Sequence, residues 1–433
     1  MTGKRAENVR REVAERRRAM RLSERTLLRV YFGLMRLLPE ALIVALVRRR
    51  AKTHPGEESA ERAGERVARV LPPRPAGRVI WLQSIGPGDS TAILALIEAL
   101  REVVPGMHYL VSTRTVDAQG IFRKTLDAGD VTLLLSPHDS RAAVARFIDH
   151  WRPDLAVFGE GDLWPNTLDL LRRRGVAMAL VNGQFNGRLG RLIGKLPGLG
   201  RWMMAHLDFL HVFSAGGEAE AGKWVREGCD LAFYPNLKMD AAHLAVKPEV
   251  LNGITKAWGD GPVFFGASVA ENEIETLIGA QAIAAKTIPG LKLILAPRWK
   301  EEGAAFQAEV GRLGIDAPRR SVEGMPGPGD AVFVADSYGE FGVWLEVCFA
   351  TYMGHTLFGG IGHNPYEPII HERQVVAGAI PAFLASDYQY LADLGLCHVA
   401  DTPETIAAEM VRLWQARARG FSRDIARRIL ALI

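Results

Sequence analysis

Short apolar runs alternate with longer amphipathic stretches through most of the chain, beginning at residue 78. The first runs read "VIWLQ", "HYLVST", "VTLLLS", "LAVFG", "AMALVN" and "FLHVFS", and a helical periodicity follows each of them. The pattern restarts after residue 256 with "VFFGAS", "LKLILAP", "AVFVAD", "ATYMG" and "QVVAG". Such alternation is typical of parallel strands that are covered by helices on both faces. We therefore predict an α/β protein with two Rossmann-like domains in tandem, residues 53–245 and 255–433.

The N-terminal part of the chain carries a long apolar segment that is interrupted by charges. It runs from Thr26 to Val47 and contains Arg29, Arg36, Glu40 and the helix-breaking Pro39. Its length is that of a membrane span, but at helical spacing the charged residues form a narrow stripe beside a broad apolar face. This pattern favours a helix that lies in a membrane interface. A core helix of the N-terminal domain is the alternative.

The charge of the chain is unevenly distributed. Residues 1–52 contain 15 Lys or Arg and 5 Glu, a net charge of +10, whereas the remaining 38 basic and 44 acidic residues give −6. Such crowding of positive charge suits an anionic surface. We predict that residues 1–52 associate with an anionic membrane surface. No nucleic-acid-binding module is indicated, and the three scattered cysteines predict no metal site.

The first βα connection, "SIGPGD" at residues 84–89, raises three alternatives for its carboxylate. A phosphate-binding loop is disfavoured, because the third glycine of a dinucleotide fingerprint and a GK[ST] sequence are both missing. Asp89 stands before Ser-Thr, where it could cap the following helix. It could also be a catalytic base, because ligands of such sheets bind beyond the carboxyl ends of the strands.

Other uncommon combinations also follow predicted strands. They are "FGEGDLWPN", "PNLKMD", "LAPRWKEE", "DSYGEFG" and "GGIGHNPYEP". Their order and spacing resemble the 3-deoxy-D-manno-octulosonic acid (Kdo) transferases of Gram-negative bacteria, which are inverting glycosyltransferases with the two-Rossmann GT-B fold. The resemblance covers nearly the whole chain. It implies transfer of Kdo from CMP-Kdo to a lipid A precursor at the cytoplasmic side of the inner membrane, with no bound metal or other cofactor.

The resemblance also implies roles for particular residues. Asp89 aligns with the family's catalytic glutamate, and Glu160 and Lys238 with residues that stabilise the transition state. For the latter two, an ion pair between the domains is the alternative. In the second domain, the positions implied in binding the CMP moiety are Ser268, Pro297, Arg298, Tyr338, Gly339, Glu340, Asn364, Pro365, Tyr366 and Glu367.

Departures from the family pattern concentrate in the first domain. Asp89 is one methylene shorter than the family's glutamate, and in "NGQFN" Gln184 and Asn186 stand in place of Arg and Ser. In the second domain Trp299 replaces a His. A CMP-linked donor is therefore indicated more strongly than the acceptor. Two further hypotheses stay open: a paralogue that uses another CMP-ulosonic sugar or acceptor, and a catalytically silent membrane-bound binding protein.

Overall fold

The computed structural model describes residues 3–126, 129–185, 188–213, 217–358, 360, 362–379 and 384–417. The chain divides into two compact units, Met1–Ala241 (unit 1) and Ala242–Ile433 (unit 2). Each unit contains one parallel sheet with helices connecting its strands. The predicted α/β class with two Rossmann-like sheets is confirmed. Asn186, a predicted departure from the family pattern, lies outside the described residues.

Unit 1 contains a seven-stranded sheet in the order β3-β2-β1-β4-β5-β6-β7. The strands are β1 Val79–Ser84, β2 His108–Thr113, β3 Val131–Leu135, β4 Leu155–Gly159, β5 Ala177–Gly183, β6 Phe209–Val212 and β7 Asp230–Phe233. The six predicted strands are all present, whereas the sequence pattern missed β7. This strand lies at the sheet edge and none of its four residues is fully buried, so it lacks the apolar run that marks the others.

Eleven described helices belong to unit 1. They are α1 Gly3–Ala19, α2 Leu22–Leu37, α3 Glu40–Thr53, α4 Ala63–Arg66, α5 Pro87–Val103, α6 Val116–Thr125, α7 Arg141–Trp151, α8 Pro165–Arg173, α9 Arg188–Lys195, α10 Pro197–Met204 and α11 Gly217–Gly222. On one face of the sheet, the Trp81 ring packs against two phenylalanine rings. Its centroid lies 4.9 Å from that of Phe147 and 6.0 Å from that of Phe158. This aromatic cluster anchors α7 to β1 and β4, which fixes the strand ends described below.

The predicted apolar helix over residues 26–47 is two helices. α2 ends at Leu37 and α3 begins at Glu40, and their axes differ by 89°. Pro39 cannot donate a backbone hydrogen bond and disfavours helical geometry at Leu38, so both residues adopt extended ψ angles. Within the described residues no one helix has the length and apolarity of a membrane span, although α2 and α3 reach them as a bent pair.

α1 and α2 pack on unit 1. Met20 and Leu28, each no more than 3% exposed, belong to its main apolar cluster, and the ring of Phe32 lies edge-on to Trp202 at 6.1 Å. Gly198 N donates to Glu24 Oε1 at 2.8 Å, which ties α2 to the start of α10. The core-helix alternative thus describes one face of α2. The opposite face exposes large apolar side chains, as the interfacial interpretation requires.

Unit 2 contains a six-stranded sheet in the order β10-β9-β8-β11-β12-β13. The strands are β8 Val263–Val269, β9 Lys292–Pro297, β10 Val332–Val334, β11 Ala350–Met353, β12 Gln374–Ala377 and β13 Cys397–Val399. The described helices are α12 Pro248–Trp258, α13 Ile274–Ala284, α14 Gly303–Arg312, α15 Phe341–Val347, α16 Tyr366–Ile370, α17 Ala385–Asp393 and α18 Pro403–Arg417. The predicted strands are confirmed, and the missed one, β13, is again a short edge strand.

In both sheets, successive strands are first added on one side of the first strand and then on its other side. In unit 1 the switch lies between β1 and β4, and in unit 2 between β8 and β11. Loops that leave adjacent strands at such a switch diverge to opposite faces and open a crevice at the carboxyl edge, where ligands of this architecture bind. The predicted site residues Asp89, Glu160 and Ser268 all follow or end a strand at these switches.

Candidate active site

Asp89 lies in the first turn of α5, directly after the switch strand β1. Gly86 occupies the cap position and Pro87 is the first helical residue, so the predicted alternative that Asp89 caps the helix is wrong. Its side chain instead turns back, and Oδ2 accepts a hydrogen bond from Ile85 N at 3.0 Å. Proline is tolerated only in the first turn of a helix, so α5 begins at Pro87. The cap position is therefore Gly86, three residues before Asp89.

The Asp89 carboxyl is in an environment that opposes its ionisation. The side chain is 3% exposed, and Oδ1 has no hydrogen-bond donor among the residues that the structure describes. Burial, followed by the negative charge of Glu160, raises the pKa of Asp89 to about 8, against the opposing effects of Ile85 N–H and Lys238. A carboxyl of this kind takes up a proton near neutral pH, which an ordinary surface aspartate does not.

Gly159, the last residue of β4, makes room for this carboxyl. A Cβ atom at position 159 would lie 2.4 Å from both Asp89 oxygens, which is far inside van der Waals contact. Asp89 is buried and short, so its carboxyl could not move aside without a shift of the α5 start. Gly159 is therefore a part of the site that the sequence analysis missed. It was concealed within the strand motif "LAVFG".

Glu160 and Lys238 form an ion pair beside Asp89. Lys238 Nζ donates to Glu160 Oε1 at 2.7 Å, and the Lys238 side chain is buried. The pair lies wholly in unit 1, so the predicted alternative of a pair between the domains is wrong. Glu160 has a left-handed φ of +50°, which costs a residue with a side chain about 1 kcal/mol or more and is usual at functional sites.

Two asparagines hold Lys238 in place, and the sequence analysis missed both roles. Asn182, at φ +51° near the end of β5, donates from Nδ2 to Asn236 Oδ1 at 2.9 Å and accepts from Leu237 N at 3.1 Å. Asn236 Oδ1 also accepts from Lys238 N. These bonds clamp the short 3₁₀ turn Leu237–Asp240 against β5. Asn before Gly after an apolar run was the available signal, because Asn tolerates left-handed geometry.

Asp162, a second carboxylate of the same loop, is fully engaged. Its Oδ1 accepts from Arg114 Nη1 at 3.0 Å and from Trp164 Nε1 at 2.8 Å, and its Oδ2 accepts from Gln83 Nε2 at 2.6 Å. Arg114 also lies over the Trp164 ring, 5.0 Å from its centroid. A carboxylate with both oxygens bound and a cationic partner is a structural anchor rather than a proton acceptor.

In unit 2, the buried Glu273 organises the loop that follows the switch strand β11. Its Oε1 accepts from the backbone N–H groups of Thr356 and Leu357 at 2.9 and 3.0 Å, and its Oε2 from those of His355 and Ala270 at 2.8 and 2.9 Å. One carboxylate thus satisfies four amides of irregular backbone. Glu273 was not predicted from the sequence, because three of its four partners, His355, Thr356 and Leu357, lie 82–84 residues away along the chain.

Ser268 lies against the same loop at the end of β8. Ser268 and His355 both have left-handed φ angles, +51° and +57°, and His355 Nδ1 lies 2.8 Å from the Ser268 carbonyl oxygen. A Cβ at Gly354 would lie 2.2 Å from that oxygen, so only glycine fits there. Two strained residues and one obligatory glycine thus hold the backbone of this loop against the end of β8 at the switch point.

Arg298 follows Pro297, the last residue of β9, and extends toward the glycine-rich loop. Its Nη1 donates to the Gly362 carbonyl oxygen at 3.1 Å. Burial, with added repulsion from Arg298 and His355, lowers the pKa of His363 to about 4. Three basic side chains therefore converge at this edge of the sheet, and burial also lowers the pKa of Arg298. An anion bound there would favour the protonated forms of Arg298 and His363, which burial disfavours.

Tyr338, Gly339 and Glu340 precede α15. Tyr338 is exposed, Gly339 has a φ of +72°, and Glu340 is buried at the cap position of the helix. Glu340 accepts two hydrogen bonds from Arg320, each 2.9 Å long, and another from the Ser337 hydroxyl. Its carboxylate is therefore already neutralised by a cation. Of the predicted CMP-binding residues it is the one most occupied by protein partners.

The segment from Asn364 to Glu367 forms the start of α16. Asn364 Oδ1 accepts from Tyr366 N at 3.2 Å, and Pro365 occupies the cap position just before the helix. Tyr366 is buried, whereas the half-buried Glu367 accepts from Asn364 Nδ2 at 3.3 Å. Burial raises the pKa of Glu367 to about 7. A carboxyl in a desolvated position, with one weak partner among the residues that the structure describes, is suited to accept hydrogen bonds from hydroxyl groups.

The predicted site residues thus fall into separate groups. Unit 1 brings together Asp89, Glu160 and Lys238. In unit 2, Ser268, Pro297 and Arg298 lie at the ends of paired strands, Asn364–Glu367 follow the loop that Arg298 contacts, and Tyr338–Glu340 are held by Arg320. In the described ranges, no group of three His, Cys, Asp or Glu side chains is arranged to hold a metal ion.

Comparisons with known proteins find related sequences over most of the chain. A model of the 3-deoxy-D-manno-octulosonic-acid transferase family matches residues 61–241. The 3-deoxy-D-manno-octulosonic acid transferase of Bordetella pertussis is 27% identical over 391 residues, covering 84% of this chain and 88% of that protein. The protein of the same name from Haemophilus influenzae is 25% identical over 314 residues, 71% of each chain.

Among solved structures, a glycosyltransferase from Rickettsia africae superposes with a TM-score of 0.53 at 9% identity, covering 82% of this chain and 94% of that one. At this identity the likeness concerns the fold alone, and it agrees with the predicted GT-B architecture. The match to the family model lies in unit 1, and it includes Asp89, Glu160 and Lys238.

Proposed function

We propose that this chain, which belongs to the Kdo transferase family, is an inverting glycosyltransferase that moves Kdo from CMP-Kdo to a lipid A precursor in lipopolysaccharide biosynthesis. The names of its relatives and the order of its motifs support this assignment. The observation that carries it is the buried Asp89 carboxyl beside the Glu160–Lys238 pair, at the switch point of unit 1.

Asp89 is proposed to be the general base. In an inverting transfer, the acceptor hydroxyl gives its proton to the Asp89 carboxylate while its oxygen forms the new bond to the anomeric carbon. The bond from that carbon to the CMP phosphate breaks on the opposite side. A pKa of about 8 makes the ionised carboxylate a stronger proton acceptor than an ordinary aspartate. Because the side chain is only 3% exposed, an acceptor can reach it only after neighbouring residues shift.

Glu160 and Lys238 are proposed to stabilise the transition state. Lys238 supplies a fixed positive charge, and Glu160 restricts its ammonium group to one position. Charges that are held in place before the reaction need no reorganisation during it, which is the main electrostatic contribution to catalysis. Asn182 and Asn236 act through Lys238 and are positioning residues.

Unit 2 is proposed to bind the CMP moiety. Arg298, with His355 and His363 nearby, suits the phosphate, because a guanidinium group can donate two parallel hydrogen bonds to its oxygens. Glu367 suits the ribose hydroxyls, since its pKa near 7 leaves it able to ionise and its only described partner is Asn364. Calorimetry with CMP tests this half. Arg298→Ala and Glu367→Ala should each weaken binding by about 1.5–3 kcal/mol.

We further propose that the protein acts at the cytoplasmic side of the inner membrane and needs no metal or other cofactor. The net charge of +10 in residues 1–52 and the exposed apolar side chains of α2 support the membrane location. Unchanged activity after exhaustive treatment with a chelator would support transfer without a metal. Loss of activity that returns on adding a divalent cation would refute it.

The deciding experiment incubates the purified chain with CMP-Kdo, generated in situ, and a tetraacylated lipid A precursor. We expect a product heavier by one or more Kdo residues in the mass spectrum. Asp89→Asn should lose roughly a hundredfold or more in rate, because an amide cannot accept the acceptor proton. Glu102→Gln, an exposed change near the other end of α5, is the matched control. Full activity of Asp89→Asn would remove Asp89 from the role of base, and Glu160 would take its place as candidate.

A catalytically silent, CMP-binding protein is the second candidate. It is favoured by the deep burial of Asp89 and by its shorter side chain in place of the family's glutamate. This candidate predicts that CMP binds normally while no sugar is transferred to any lipid A precursor. Transfer of another CMP-linked ulosonic sugar, tested in the same assay, would instead indicate a paralogue with changed specificity.

A further inference from the structure

A cleft of about 470 Å³ in unit 1, whose lining includes none of Asp89, Glu160 and Lys238, is lined by seven arginines. Arg10, Arg17 and Arg18 come from α1, Arg25 and Arg29 from α2, and Arg172 and Arg173 from the end of α8. The cleft has one acidic lining residue among the described side chains, Asp169. We call this site the arginine cleft.

Part of this positive charge is balanced by protein partners. Arg172 pairs with Asp208 at 2.7 Å and Arg173 with Asp169 at 2.8 Å, while Arg10 donates to the backbone carbonyl groups of Arg172 and Arg173. The lining residues other than the arginines and Asp169 carry no negative charge. Burial lowers the pKa of His206 to about 4, so this imidazole is neutral at physiological pH.

Four arginines of the cleft have no such balance. Within the described parts of the chain, Arg17, Arg18, Arg25 and Arg29 have no carboxylate within 4.0 Å. The Nε atom of Arg25 is enclosed by protein, yet it has no hydrogen-bond acceptor among the described residues. A buried donor without an acceptor costs about 1–3 kcal/mol, and crowded like charges add to that cost. An oxyanion in the cleft would remove both costs.

Phosphate is the oxyanion that this arrangement fits. Guanidinium groups bind phosphate oxygens in pairs of parallel hydrogen bonds, and several of them from different helices can enclose a doubly charged group. Arg25 and Arg29 are four residues apart and therefore lie on one face of α2. The cleft thus combines fork-shaped donors with an excess of positive charge.

The rest of α2 indicates where such a phosphate comes from. The helix exposes a row of large apolar side chains whose exposed fractions are 48–79%: Leu22, Leu27, Val30, Leu34 and Leu37. A soluble phosphate compound would leave this row in water. A membrane lipid would satisfy both features, because its headgroup carries the phosphate and its acyl chains receive the apolar side chains.

We propose that the arginine cleft binds the phosphate headgroup of a membrane lipid and thereby orients α2 in the membrane interface. This proposal rests on the membrane location proposed above and deepens it. It replaces a diffuse attraction of positive charge to an anionic surface with one defined site for a phosphomonoester.

The test uses the full-length protein and two sets of phosphatidylcholine vesicles matched in zeta potential. One set contains phosphatidic acid, whose phosphomonoester can carry two charges, and the other contains phosphatidylglycerol, a singly charged phosphodiester. We expect binding to be roughly tenfold tighter for phosphatidic acid, as expected for at least one additional charged hydrogen bond. Diffuse electrostatic attraction depends on surface potential and predicts no preference.

The Arg25→Gln/Arg29→Gln double variant should lose this preference. The matched control is Arg48→Gln/Arg49→Gln, which removes the same charge from exposed positions of α3 outside the cleft and should keep the preference. Thermal unfolding of each variant checks that it is folded. If the first variant does not fold, the single exposed change Arg18→Gln replaces it.

Each outcome separates the proposals. Equal binding to both vesicle sets overturns the headgroup site and leaves the membrane location standing. No binding to either set overturns the membrane location as well. Inorganic phosphate that binds the protein by calorimetry, without any vesicle preference, assigns the cleft to a soluble phosphate compound and overturns the lipid source.

Discussion

At the scale of single residues, the proposed base carries a cost for the fold. Asp89 is buried with a pKa of about 8, whereas an unfolded aspartate ionises near pH 3.9. A carboxyl whose pKa is raised by folding contributes most to stability below the lower of these values. That contribution is lost as the pH rises toward the higher one. The native protein must therefore hold a neutral acid at a pH where the unfolded chain releases the proton.

Asp89→Asn should consequently be more stable than the native chain at neutral pH. The difference in the free energy of unfolding should be small near pH 4 and should grow between about pH 5 and 8, by up to roughly 1.4 kcal/mol per pH unit. Urea unfolding at several pH values, with Glu102→Gln as control, measures it. A constant difference across this range would mean that Asp89 is ionised in the folded state.

The pH dependence of transfer offers a second test of the same residue. If Asp89 is the base, kcat/KM should rise with pH and level off above about 8, as the carboxyl loses its proton. Glu160→Gln removes the second cause of the raised pKa, so the rising limb should move to lower pH even though the maximum rate falls. An unmoved limb would show that the titrating group is not coupled to Glu160.

The candidate residues for the chemistry could be proposed from their types and order, whereas the residues that support them in the fold could not. Asp89, Glu160 and Arg298 stand in motifs that resemble a known family. Gly159, Asn182 and Glu273 act through partners that lie far away in sequence, such as Asp89 for Gly159 and Thr356 for Glu273. Only the folded chain brings these partners together, so no local pattern indicates them.

At the scale of helices and strands, the sequence pattern predicted the strands whose residues are mostly buried and apolar. Strands inside a parallel sheet are apolar on both faces and were all found, whereas the edge strands β7 and β13 were missed, because their exposed residues carry no apolar run. α2 was recognised as amphipathic, but its two apolar faces were counted as one. One of them packs on unit 1 around Leu28, and the other carries the exposed Leu34.

These two leucines of α2 provide a matched pair. Leu28→Ala removes a side chain that is 2% exposed and should destabilise the protein by about 2–5 kcal/mol. Leu34→Ala removes one that is 60% exposed and should change stability by less than about 0.5 kcal/mol. Only the second should weaken vesicle binding without loss of structure. Equal destabilisation by both would refute the two-faced description of the helix.

At the scale of the whole molecule, the chain is built from two units with separate cores. The apolar cluster of unit 2 spans residues from Phe264 to Leu413 and includes none from unit 1. Residues 1–52, by contrast, contribute Met20 and Leu28 to the main cluster of unit 1. These residues are predicted to associate with a membrane, but deleting them to test this would also expose apolar residues of unit 1. Point substitutions are therefore the better test of membrane attachment.

Residues 242–433, produced alone, should fold and bind CMP. We expect a single cooperative thermal transition and an affinity for CMP within about tenfold of the full chain, since a difference of that size corresponds to roughly 1.4 kcal/mol. Calorimetry on the fragment and the full chain measures both. A fragment that folds but binds no CMP would place part of the nucleotide site in unit 1.

The carboxylate of Glu273 should slow amide hydrogen exchange in the loop of unit 2 that follows β11. A loop without regular structure normally exchanges its amide hydrogens with water rapidly, because nothing holds them. Here the amides of His355, Thr356 and Leu357 donate to the Glu273 side chain, which is 1% exposed. They can therefore exchange only when their hydrogen bonds to this buried carboxylate break. Deuterium uptake in this loop would then be slow, like that of a strand, and the loop would open as one piece.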